Sequence, residues 1–145
     1  AYVLAHCAIK IGVEAMLYGL HQNSVKNKAI ATTLGLIAKD KRRHAAFGWD
    51  FVTDRVNSWD DVDREAAKDE IVRAVDAVIL SGYLTPFLAP SGVADEERIA
   101  EEQAALAGLG CADGVQQTQA LASFLTATQK KLQGLSIDMP NYSIV

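Results

Sequence analysis

The 145-residue sequence predicts a single all-α domain, 1–145, on three observations. Only three prolines interrupt it, half of its residues are hydrophobic, and its alanine-rich apolar positions recur at helical spacing, which leaves no convincing strand. Residues 1–20 read as helix from the outset. Ala5, Ala8, Ile9, Gly12, Met16 and Gly19 form one face of small and apolar side chains suited to close helix contact. His6, Lys10, Glu14, Tyr18 and His21 form a polar stripe on the other side. As a solvent face, that stripe would carry Lys10 and Glu14 as an ordinary surface pair, worth roughly a few tenths of a kcal/mol. As an inward face, it would meet the next helix, because a turn at 22–24 folds the two antiparallel.

A second helix is expected over 29–56, with Ile30, Leu34, Ile37, Gly48 and Phe51 or Val52 along its apolar stripe. Lys41 and His44 fall in the middle of that stripe. Lys28, Thr32, Lys39, Arg43 and Asp50 already supply a solvated side, so Lys41 and His44 are expected to face inward. A charge carried into a core needs an opposite charge or a metal. Left charged and unpaired there, Lys41 would cost several kcal/mol, so either Glu14 or Asp40 is expected to neutralise it or its pKa is expected to fall steeply.

Ser58, followed by Trp59, Asp60 and Asp61, is the expected N-cap of a third helix running to about Leu80 through Ile71, Val75, Val78 and Ile79. Gly82 stops it, and 83–92, with Pro86 and Pro90, reads as irregular. A short helix over 94–107 ends at Gly108 and Gly110. The last helix starts at Asp113 or Gly114, ends near Gly134 and packs through Leu121, Phe124, Leu125 and Leu132. The acidic groups Asp95, Glu96, Glu97, Glu101 and Glu102 have no histidine beside them and read as a solvated face.

Composition excludes several function classes. A net charge of −4 argues against a nucleic-acid partner, since phosphate binding wants a basic face. No run approaches the apolar length of a membrane span, and no leader with a cleavage site is present, so the expectation is no membrane and a cytoplasmic location. Cys7 and Cys111 have neither metal-site spacing nor a disulfide framework and read as buried thiols in a reducing compartment. Neither a glycine-rich phosphate loop nor a Ser-His-Asp set is found.

The segment LIAKDKRRHAAFGW from Leu36 to Trp49, preceded by Glu14-Ala15-Met16, resembles the second half of a ferritin-like carboxylate-bridged di-iron protein. In that family one helix gives a Glu, the next gives an Asp-Glu-x-Arg-His motif, and two such hairpins build the four-helix bundle that holds two metals. Glu14 falls on the single Glu, Asp40 on the Asp, Arg43 on the Arg and His44 on the His; Lys41 replaces the ligand Glu. The resemblance therefore implies a ferritin-like hairpin over 1–57 and a helical scaffold over 58–145. It implies Glu14 and His44 as ligands of iron or manganese, with Lys41 at the reacting centre. With one Glu and one His in a single hairpin, the bundle must be completed by another polypeptide chain. That chain is expected to cover the small-residue face of the first helix, and the helical pattern at residue 1 fits a chain that starts inside such a fold.

Two functions follow from the resemblance. One is a subunit or C-terminal half of a di-metal oxidoreductase, a monooxygenase-like assembly using O₂ on a small organic substrate, with the metal supplying the oxygen chemistry. The other is a metal-free structural partner subunit of such a complex, in which Lys41 replaces the metal charge and pairs with Glu14. A helical interaction module is a third, weaker alternative.

Overall fold

The computed structural model describes residues 1–142 and Ile144, and these fold into five helices with no strand among them. Helix α1 (Val3–Ser24) is wound as a π-helix over Val3–Lys10 and as an α-helix over Ile11–Ser24. Helix α2 (Lys28–Thr53) opens on Asn27, whose side chain accepts from the backbone N–H groups of Ala29 and Ile30. The turn therefore lies at 25–27, later than the 22–24 expected, because α1 continues to Ser24. A 3₁₀ turn (Val56–Ser58) leads to α3 (Asp61–Ala74), which continues as a π-helix over Val75–Ile79.

Ser58 does not cap α3. Its hydroxyl donates to the Arg55 carbonyl, and Asp60 and Asp63 form a reciprocal capping box instead. Gly82, at φ +89, turns the chain where a side chain would be strained. A 3₁₀ turn (Pro86–Leu88) precedes α4 (Asp95–Ala107), closed by Gly108 in the left-handed conformation. Helix α5 (Gly114–Gln133) opens on Asp113, whose carboxylate accepts from the Gln116 N–H at 2.8 Å.

Helix α1 is the spine. It packs antiparallel on α2 and also touches α3 and α5. Leu4, Ile9 and Val13 of α1 share a core with Val52, Ile71, Val75, Ile79, Leu121, Leu125 and Leu132. The inward residues of α2 are Ala38, Ala45, Gly48 and Val52, with Lys41 half-buried among them. This stripe is smaller than the one expected, and Ile30, Leu36 and Phe47 are exposed. Close approach explains the choice: a Cβ on Gly48 would lie 2.6 Å from the Ala8 backbone nitrogen, and one on Gly12 would lie 2.8 Å from the Phe124 ring.

The structure bears on two expectations here. The small-residue face of α1 is closed from within at its N-terminal end, where Ala5, Ala8 and Ile9 are fully buried against α2 at Gly48; toward Gly12, Met16 and Gly19 it borders a groove of about 490 Å³. Helix α1 is also long and apolar enough, by length and composition, to cross a membrane, with 22 residues and a mean hydropathy of 1.4, where no such run was expected. The sequence reading missed it because Lys10 and Glu14 interrupt the run, and in the fold these two charges pair with each other.

Candidate functional site

Glu14 sits on the flank of α1 that faces α2, about 100° around the helix from each of its buried neighbours Val13 and Ala15. Its carboxylate is held by two ammonium groups. Lys10, one turn earlier on α1, approaches Oε1 at 2.9 Å, and Lys41 donates from α2 to Oε2. The carboxylate side chain is 14% exposed and each lysine 28%, so the three charges meet in a partly desolvated cleft. Burial pushes the Glu14 carboxyl up. Hydrogen bonds from Lys41 and Lys10, reinforced by their charge, outweigh that and hold it below the usual carboxylate value. The Lys41 ammonium also lies 5.8 Å from the centre of the Tyr18 ring, within cation–π range.

His44 is not part of this cluster. Its side chain is 60% exposed, and its Nε2 lies 3.9 Å from the Asp40 carboxylate on the outer side of α2. The helix turns toward α1 through Ala38, Lys41, Ala45 and Gly48, which leaves Asp40 and His44 beyond the edge of the contact. The structure thus brings Glu14 and Lys41 together and places His44 elsewhere. The expected sharing of one ion between Glu14 and His44 has no support in this geometry.

The residues present do not fit a di-metal centre. Each oxygen of the one candidate carboxylate already accepts from an ammonium, which a cation would have to displace against like charge. Among the described residues no group of three or more His, Cys, Asp or Glu side chains converges as a metal site would require.

Beside the ion cluster a cleft of about 400 Å³ opens between α1, α2 and the turn after Gly82, lined by Glu14, Leu17, Tyr18, His21, Lys41, Tyr83 and Leu84. His21 is fixed at its rim: the Ala112 N–H donates to Nδ1 at 3.0 Å. Burial lowers the His21 pKa, opposed by the negative charge of Glu101. Behind His21, the buried Gln117 donates to the Ala112 carbonyl at 2.8 Å and to Glu101 at 2.9 Å, tying α1, α4 and α5 together.

The sequence reading also missed His6, whose Nε2 lies 2.9 Å from Glu70, itself paired with Arg73. His6 and His21 have partners 64 and 91 residues away, beyond the reach of any local pattern. Cys7 and Cys111, expected buried, are free and only half-buried. Burial pushes the Cys111 thiol up, with Glu101 adding to the effect, so it is a poor nucleophile at neutral pH. Compared with protein-family models, curated proteins and solved structures, the chain matches none.

Proposed function

We propose that this chain is a metal-independent helical partner subunit, in which the Lys10–Glu14–Lys41 cluster stands where a ferritin-like relative would hold a metal. The observation that carries this reading is the occupation of both Glu14 oxygens by ammonium groups. A buried carboxylate between two helices needs positive charge to remain ionised, and here lysines provide it without a metal. The cluster then fixes the register of the α1–α2 hairpin rather than the position of a reacting oxygen.

The outward face of α2 supports a role in assembly. Leu36 and Phe47, each 63% exposed, are separated by three helical turns, with Asp40 and Arg43 between them on the same side. Two large apolar side chains framed by opposite charges make a surface suited to another helix. The partner is another polypeptide chain, and this exposed face of α2 is where it would dock.

The oxidoreductase alternative requires a ligand set that Glu14 and His44 do not form. Metal titration separates the two. A partner subunit takes up no iron or manganese with high affinity and shows no metal-dependent rise in melting temperature. Stoichiometric binding that depends on Glu14 would return the assembly to the oxidoreductase class.

A further inference from the structure

We infer that the cleft between α1, α2 and the Tyr83–Leu84 turn binds a small organic carboxylate bearing an apolar group. Lys41 and Glu14 line the cleft, and Lys10, outside the lining, pairs with the other Glu14 oxygen, so the three-charge cluster at its wall carries a net positive charge. Lys41 has three N–H donors. Glu14 takes one of them, and a bound anion can accept from another. His21 adds a second donor: because Nδ1 accepts from the Ala112 N–H, the ring proton of the neutral imidazole is assigned to Nε2.

The remaining walls select for an apolar body. Leu17 is buried at the base, Leu84 is half-buried opposite, and the Tyr18 ring forms a flat side beneath the Lys41 ammonium. Tyr83, 76% exposed, stands at the mouth on the turn set by Gly82. The volume of about 400 Å³ is at the small end of ligand sites and suits a molecule the size of an aromatic acid. Among the described residues Glu14 is the only acidic side chain in the lining, and the ammonium groups of Lys10 and Lys41 on its two oxygens offset its charge, while Glu101 acts on His21 from outside the lining. The inference concerns this chain alone and does not depend on a partner subunit.

The test uses benzoate as the anionic probe and benzamide and benzylamine as its neutral and cationic counterparts, titrated into the 145-residue chain and followed by amide NMR. Benzoate is expected to saturate, with shifts concentrated at Tyr18, His21, Lys41 and Tyr83, and to bind about tenfold more tightly than benzamide, the size of one well-placed charge contact. Lys41→Met should remove that preference while a far-side control, Val62→Ser, keeps it. Absence of saturable benzoate binding, equal affinity for benzamide, preference for benzylamine, or shifts confined to another surface would each overturn the inference. The comparison of the three probes on the unmodified chain decides the matter even if Lys41→Met does not fold.

Discussion

Glu14 and Lys41 meet across the α1–α2 contact from positions 27 residues apart, and Lys10 completes the cluster from the same face of α1. One carboxylate therefore receives two cations, and the three should behave as a unit. Lys41→Met leaves Glu14 with Lys10 alone and is expected to lower stability by about 1–2 kcal/mol, less than the loss of a sole partner in a buried pair. Removing both lysines leaves the carboxylate unpaired and should cost more than the sum of the two single changes. A double-mutant cycle by urea unfolding checks this, and strict additivity would mean that the lysines act independently.

The pH dependence of stability should show two steps. Glu14 has a folded pKa below its ordinary 4.5, so the stability it contributes is present above pH 4.5 and is lost as pH falls through the folded value. His21 has a folded pKa below its ordinary 6.5, so the folded state resists protonation that the unfolded chain accepts. Stability is therefore lost as pH falls below 6.5 and levels off beneath the folded pKa. His21→Gln keeps an acceptor for the Ala112 N–H and removes the titration, so unfolding curves between pH 7 and about 5 should become flatter. An unchanged slope would detach His21 from the acid response.

The two glycines in the helix contacts should differ. Gly48→Ala places a methyl against the Ala8 backbone nitrogen, which cannot move without shifting α1, and is expected to destabilise by about 1–3 kcal/mol. Gly12→Ala meets only the edge of the Phe124 ring. A side chain can swing aside, and alanine's helix preference of about 1 kcal/mol over glycine offsets the repacking, so this change should be close to neutral. Comparable melting temperatures for the two variants would count against the close crossing at Gly48.

Leu36 and Phe47 are each 63% exposed, and Phe47 meets the Phe51 ring one turn along the same helix at 6.1 Å between centroids, so Leu36→Ser with Phe47→Ser should stay near the range of surface changes, about 0.5 kcal/mol. Association with a partner chain, read by sedimentation velocity on the co-purified complex, should be lost. A complex that survives both substitutions would move the docking face elsewhere.

Much of this fold was legible in local chemistry. Asp113 announced α5, Gly108 and Gly82 marked the ends they close, and the helical periodicity gave the all-α class. The errors have identifiable causes. Helix α2 was read by its large apolar residues, but it turns Ala38, Ala45 and Gly48 inward, because α1 approaches too closely for anything larger. That rotation kept Lys41 at the contact and carried His44 out of it. Ser58 and Asp60 each have a carboxylate three residues ahead, Asp61 and Asp63, so the local pattern does not choose between them; the 3₁₀ turn over Val56–Ser58 takes up Ser58 and leaves the box to Asp60. The partners of His6 and His21 depend on how α3 and α5 dock, which no nearby residue encodes.

The most direct test of the central claim is elemental analysis of the purified protein together with any chain that accompanies it. If the Lys10–Glu14–Lys41 cluster stands where a metal would be, iron and manganese will be substoichiometric in this chain, whether it is purified from metal-rich or metal-poor medium. Stoichiometric metal that is lost on Glu14→Gln would contradict the claim and restore Glu14 as a ligand.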